Sequence, residues 1–232
     1  MAKKNLAMIT ARGGSKRIPR KNIKEFCGKP IICYSIEAAL ASGVFDEVMV
    51  STDDPEIAEV ARRDGGNVPF LRSAETAGDY ASTDDVIMEV LKAYEQQGKV
   101  FDAFCCIYPT APFVTGQRLK EAMDLLSEAD SVMPVIPFSY PPQRGLVIRE
   151  NGFLDRQYPE YAQARSQDLA RIYHDCGQFY ACKTAAFLSA GTTDVDKLLP
   201  LVLSEMEVQD IDTQEDWELA ELKYMKMIKN TR

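Results

Sequence analysis

Apolar and polar positions along this chain change period in a regular way. The short apolar run over 6–9, Leu6 to Ile9, predicts a first strand. Over 30–40 the apolar residues recur at helical spacing, with Pro30 suited to a first turn and Gly43 to a stop. The run over 45–52 predicts a second strand. Asp54 before Pro55 caps a helix leading through Ile57 to Ala61, and 68–71 predicts a short third strand. Strand and helix therefore alternate through the first 72 residues. That alternation implies an α/β fold, a parallel sheet covered by helices on both faces.

Residues 73–83 read as loop, and Ser82 to Asp85 open a helix that runs from 86 to 97. The nearly continuous apolar run over 101–108 reads as a strand buried on both faces. A helix over 117–126 and a strand over 131–135 follow. From about 138 to 171 prolines, tyrosines and arginines replace the alternation, and Gly152 suggests a hairpin joining 146–148 to 153–154. This stretch reads as a subdomain inserted into a single domain spanning 1–232. The pattern resumes with a core strand over 176–181 and a last strand over 207–211. Thr213 caps a final helix whose apolar face holds Trp217, Leu219, Ala220, Leu222 and Tyr224.

A chain of 232 residues, 46% apolar and 27% charged, can bury the core of one sizeable domain. The net charge of -8 argues against a nucleic-acid partner, which needs a basic face. No apolar run approaches the roughly 18–20 residues that span a bilayer, so no membrane partner is expected. The six cysteines form no Cys-x-x-Cys pair and sit in apolar surroundings, as reduced core residues of a cytoplasmic protein would.

Against this acidic background, five cations crowd into the ten residues from Arg12 to Lys21. Such a cluster repels itself unless anions visit it. Gly13 and Gly14 follow a strand and allow a sharp turn, a common way to cradle phosphate. The stretch is neither a Gly-Lys-Ser/Thr loop nor Gly-x-Gly-x-x-Gly, and the competing reading is a solvated basic loop. In an open α/β sheet ligands lie at the carboxyl ends of the strands, where this turn, 51–53, Arg72 and Pro109–Thr110 can converge. Asp210 and Asp212 stand two apart on an extended segment, so both carboxylates face one side while Ile211 turns to the core. Two such oxygens suit Mg²⁺, although Asp212 could equally cap the last helix with Thr213. The lone His174, beside a strand, reads as a structural residue rather than a general base.

The stretch Ala-Arg-Gly-Gly-Ser-Lys-Arg-Ile-Pro-Arg-Lys-Asn-Ile over 11–23, Gly28 to Ile32, and Asp-Ile-Asp-Thr-Gln-Glu-Asp-Trp over 210–217 resemble the CMP-sialic acid synthetases. These nonulosonate cytidylyltransferases couple an acidic nine-carbon sugar to CTP. The resemblance covers nearly the whole chain. It implies a Rossmann-like, mostly parallel sheet with an inserted dimerisation subdomain, a homodimer, and Mg²⁺ as cofactor. It also implies that Arg12, Gly13, Ser15, Lys16 and Lys21 hold the triphosphate, while Asn22, Arg72 and Ser82 contact the rest of the nucleotide. Arg12, Lys16, Lys21 and Asp212 would then be catalytic, with Asp210 and Asp212 on the metal. Arg165, Gln178 and Tyr180 are expected at the acceptor sugar.

Tyr108-Pro109-Thr110-Ala111-Pro112-Phe113-Val114 stands where the sialic acid branch usually has Gln-Pro-Thr-Ser-Pro-Leu-Arg. An amide and a cation have given way to an aromatic and an apolar group, which places Tyr108 at the acceptor too. Together with Gly177-Gln178-Phe179-Tyr180, this resembles the branch that acts on pseudaminic acid, although Ala181 stands where that branch often has tryptophan. The expected product is CMP-pseudaminic acid, with pyrophosphate released. N-acetylneuraminic acid, legionaminic acid and Kdo are alternative acceptors, and a CTP-binding module without turnover is the alternative of another class.

Overall fold

The structure, a computed structural model, describes residues 3–231. Its apolar strand β1 (Asn5–Thr10) lies inside a mixed sheet, and its four central residues are buried. The basic turn follows, then a small hairpin of β2 (Glu25–Phe26) and β3 (Lys29–Pro30) and helix α1 (Ile31–Ser42). Gly43 stops that helix in the left-handed conformation, φ 66°, which costs glycine nothing. Strand β4 (Glu47–Ser51) leads to α2 (Pro55–Arg63), where the Asp54 side chain accepts from the Glu56 and Ile57 amides. Helix α3 (Thr83–Gln96), β5 (Ala103–Ile107), α4 (Gly116–Leu125) and β6 (Ser131–Pro137) continue the alternation.

The chain then leaves the sheet. It forms an antiparallel hairpin of β7 (Leu146–Ile148) and β8 (Leu154–Arg156) and returns through β9 (Tyr173–Asp175), which pairs with β6. Strand β10 (Phe179–Lys183), α5 (Thr184–Ala190), β11 (Leu198–Val202) and α6 (Gln214–Thr231) complete it. The strand order is β11-β6-β10-β5-β1-β4, with β9 off β6. Strand β1 is parallel to β4 and β5, whereas β10 runs antiparallel between β5 and β6. After β4 the chain crosses to the other side of β1, so the strand order reverses between β1 and β5 and opens a crevice at their carboxyl ends.

Period-two alternation sends side chains to two cores. Ala7 and Ile9 pack with Ile36 of α1, Ala58 of α2 and Leu119 of α4, while Leu6 and Met8 pack with Ile87 of α3 and Phe187 of α5. Helices therefore cover both faces, as expected. A third cluster gathers Ile18, Phe26, Ile211 and Trp217, with the Phe26 ring 5.5 Å from those of Tyr34, Trp217 and Tyr224. It ties the end of the chain to the turn near its beginning.

Three expectations are corrected. Residues 68–71 form no strand; beside β4 there is a single bridge from Met49 to Asn67, and Pro69 has no N–H to extend it. The stretch 207–211 forms no strand: Glu207 closes a 3-10 turn begun at Glu205, and the carbonyls beyond it accept from Lys223 at Val208 and from Lys21 at Ile211. The last strand is β11 instead, an edge strand in which Pro200 is tolerated for want of an outer neighbour. On α6, Trp217 and Ala220 are buried with Tyr224 and Met227 packed beside them, whereas Leu219 and Leu222 face solvent. Helix α5 was not anticipated. Among the described residues no helix is long and apolar enough to cross a membrane.

Candidate active site

The basic turn is held open by its own side chains and its neighbours. Asn22, buried, donates Nδ2–H to the Arg12 carbonyl at 2.8 Å. Arg20 takes the left-handed conformation, φ 56°, and its guanidinium binds Asp54 and Glu56 at the start of α2. Gly13 has a steric reason to be glycine, since a Cβ there would lie 2.8 Å from Asp54 Oδ2. Its amide is not free for phosphate, however: it donates to Asp53 Oδ1 at 2.9 Å. A Cβ on Gly14 would meet open space. The turn therefore presents side-chain cations, not a nest of Gly13 amides, to the space beside it.

These cations wall a cavity of about 540 Å³ at the carboxyl ends of β1 and β5. Thr10, Arg12, Ser15, Lys16, Lys21 and Asn22 line one side; Arg72, Ser82, Tyr108 and Asp212 line others. Arg72 is buried, donates to Ser51 Oγ at 3.0 Å and Ser51 O at 2.8 Å, and has its guanidinium pKa pulled down by that burial. Ser82 caps α3 in a reciprocal box with Asp85, so its hydroxyl is already engaged. The C-terminal acids reach the basic turn directly: Arg17 Nη2 lies 2.8 Å from Asp212 Oδ1, and Lys21 Nζ lies 2.6 Å from the Ile211 carbonyl oxygen. Residues 190 positions apart thus share one wall.

A second cavity, about 320 Å³, adjoins the first across Tyr108. Asp210 opens into it, together with His174, Asp175 and Tyr180. The Tyr180 hydroxyl donates to Asp175 Oδ2 at 2.5 Å, and the Tyr108 hydroxyl pairs with Thr83 Oγ1 at 3.2 Å; the two tyrosine rings are 5.7 Å apart. Burial, Tyr108 and Asp175 push the Tyr180 pKa far up, so it remains a donor at any working pH. His174 turns Nδ1 to the Asp175 carbonyl at 2.8 Å and packs against Phe138 with the rings inclined at 51°.

Two expected acceptor residues lie elsewhere. Arg165 is exposed, chelates Asp168 at 2.7 and 3.2 Å, and lines neither cavity. An i,i+3 carboxylate satisfies it before any substrate does. Gln178 lies wholly beneath the surface beside Tyr108, its Nε2 bonded to the Cys176 carbonyl and its Oε1 without a partner. Asp210 and Asp212 also divide between the cavities rather than facing one of them. Burial first, then the Asp212 charge, push the Asp210 carboxyl up. Burial pulls the Lys21 ammonium down, against the attraction of Asp212 and Asp210.

Sequence reading gave no role to Arg17, Asp79 or Asp175. Arg17 belongs to the visible basic run, but an acid in a loop carries no spacing signal. Asp79 accepts from Arg12 Nη1 at 2.9 Å and from Lys16 Nζ at 2.5 Å, which hold its carboxyl below the usual range.

Residues 6–184 match the family model described as cytidylyltransferase. A pseudaminic acid cytidylyltransferase of Campylobacter jejuni is 42% identical over 223 residues, 95% of this chain and 96% of that protein. A CMP-N,N'-diacetyllegionaminic acid synthase of Legionella pneumophila is 34% identical over 224 residues, 93% of this chain and 94% of that protein. Among solved structures, CMP:2-keto-3-deoxy-manno-octonic acid synthetase complexed with CTP superposes with a TM-score of 0.70 at 18% identity, covering 97% of this chain and 99% of that one, which establishes the common fold. With its cation-walled crevice at the strand-order reversal and this extent of likeness, the chain belongs to the cytidylyltransferase family, nucleotidyltransferases that form CMP-sugars from CTP.

Proposed function

We propose that this enzyme joins CTP and pseudaminic acid into CMP-pseudaminic acid, releasing pyrophosphate. The observation that carries the reading is the pair of cavities meeting across Tyr108, one walled by cations and the other by hydroxyl, imidazole and carboxylate groups. CTP lies in the first, with Arg12, Ser15, Lys16 and Lys21 on the triphosphate and Asn22 and Arg72 nearer the nucleoside. The sugar lies in the second, against Tyr108 and Tyr180. Its anomeric oxygen bonds to the α-phosphorus as the α–β bridging P–O bond breaks in line; the hydroxyl proton is shed and pyrophosphate departs. Such a transfer needs positioning and charge stabilisation, which Arg12, Lys16 and Lys21 supply to the leaving group.

Asp210 and Asp212 fit Mg²⁺ by their chemistry. One is a carboxylate whose ionised form is disfavoured by burial and by the other's charge, and a cation relieves both. Among the described residues no cluster of three or more acids, histidines or cysteines is built to hold a metal, so an ion held by Asp210 and Asp212 would need further oxygens from substrate and water. Bound there, Mg²⁺ supplies charge neutralisation of the triphosphate.

The pseudaminic acid assignment rests on the 42% identical relative and on Tyr108 at the wall between the cavities. The second cavity has no lysine or arginine in its lining, so the acceptor carboxylate meets its cation from outside. A homodimer through the exposed 138–171 excursion provides one, by bringing an exposed arginine such as Arg171 to the neighbouring copy. We place the enzyme in the cytoplasm, where its six free thiols stay reduced.

The test is pyrophosphate release from CTP and Mg²⁺ with a panel of acceptors. Pseudaminic acid is expected to exceed N-acetylneuraminic acid, diacetyllegionaminic acid and Kdo by at least about tenfold in kcat/KM. Comparable turnover of N-acetylneuraminic acid defeats the assignment.

A further inference from the structure

The cations of the basic turn already hold an anion of the chain's own. Asp79 presents one carboxylate oxygen to Arg12 Nη1 at 2.9 Å and the other to Lys16 Nζ at 2.5 Å, while Arg12 Nη1 also reaches the Gly78 carbonyl at 3.3 Å. Two oxygens on two cations is the pattern a phosphate would adopt there. The loop carrying Asp79 is pinned at both ends by α3. Glu89 accepts from the Ser73 amide and hydroxyl, each at 2.8 Å, and from the Thr76 hydroxyl. At the far end stands the Ser82–Asp85 capping box. Between those anchors, Tyr80 is fully exposed, and the bonds of Gly78 and Asp79 to Arg12 and Lys16 join the loop to the turn. The middle of the loop is thus free to lift without unravelling α3.

We propose that Asp79 is an internal competitor of the triphosphate, a positioning residue that occupies Arg12 and Lys16 until phosphate displaces it and recaptures them as pyrophosphate leaves. The inference rests on the reading that Arg12 and Lys16 hold the triphosphate. Apparent affinity falls by the fraction of molecules in which the cations are free. Because these ion pairs face solvent, that fraction stays substantial and the penalty is modest, a factor of about two to five. The carboxylate also keeps the cations from repelling each other in the empty site, so a captured pyrophosphate has a competitor in place at once.

Calorimetry with CTP alone, and separately with pyrophosphate, tests this in the absence of acceptor, where no turnover intrudes. Asp79→Asn and Asp79→Ala are expected to tighten both ligands about two- to fivefold, while Asp79→Glu stays near the parent. In the Arg12→Ala, Lys16→Ala background the Asp79→Asn effect should vanish, as a thermodynamic cycle requires. Unchanged or weaker binding by Asp79→Asn, in a protein whose CTP affinity still drops on Arg12→Ala, overturns the competitor role and leaves the nucleotide site standing. If Arg12→Ala and Lys16→Ala do not weaken CTP at all, the nucleotide reading fails and the competitor role falls with it.

Discussion

Lys21, Asp210 and Asp212 form the smallest unit that explains how the two ends of the chain cooperate. Lys21 reaches the Ile211 carbonyl between the two acids and so holds their segment against the turn. That placement leaves Asp210 in an environment that disfavours its charge, burial first and Asp212 second. The folded protein therefore binds the Asp210 proton more tightly than the unfolded chain does. Its ionisation costs nothing below the usual aspartate value of 3.8; the cost grows as pH rises through the higher folded value and is complete above it. Asp210→Asn should accordingly raise the Tm of the ligand-free protein at pH 7, by only about a degree or two because the group is partly solvated. The same substitution should lower Mg²⁺-dependent turnover about a hundredfold or more. A fall in Tm at pH 7 would contradict the electrostatic account, whereas full activity would remove Asp210 from the metal site.

Among the elements, the start of α3 links folding to the cation-walled cavity most directly. Ser82 lines the cavity, yet its hydroxyl is exchanged with the Asp85 carboxylate and amide. Ser82→Ala is expected to cost about 1 kcal/mol, seen as a drop of about 2–4 °C in Tm, while CTP affinity changes less than about twofold. A loss of CTP affinity with Tm unmoved would instead make the hydroxyl a ligand contact. The elements that periodicity predicted correctly share one trait: their stabilising partners are local or dictated by pattern. Helix α1 has Gly43 as its stop, α2 has Asp54 as its cap, and β5 is apolar throughout. The failures at 68–71 and 207–211 have the opposite trait. At 68–71 the β4 edge is open, but Pro69 has no N–H to carry the ladder past the Asn67 bridge. At 207–211 the Val208 and Ile211 carbonyls accept from lysine side chains rather than from a neighbouring strand. Strand β11 took the edge beside β6 with a proline in its middle, against its local propensity.

Across the whole molecule, exposed large apolar side chains are densest along one excursion. Ile148, Phe153 and Leu154 of the β7–β8 hairpin are 75%, 72% and 65% exposed, an apolar cluster on a two-stranded sheet that has little core of its own. Sedimentation is expected to show a species of twice the 26.0 kDa chain mass. Ile148→Glu with Phe153→Glu should weaken self-association at least about tenfold and raise the acceptor KM. A parent protein that sediments as a monomer at micromolar concentration would rule out the dimer. Read alone, the chain already declared an α/β sheet, an anion-seeking turn and a paired-acid segment, because periodicity, glycine placement and local charge density are properties of neighbours in sequence. Contact between Arg17 and Asp212, the separation of Asp210 into a second cavity, the capture of Arg165 by Asp168 and the presence of Asp79 among the cations of the basic turn are of another kind. They depend on which side chains meet after the sheet has closed over β1 and the aromatic cluster around Phe26 has drawn α6 back to the turn. Long-range pairing of that sort leaves no periodic trace in a single sequence.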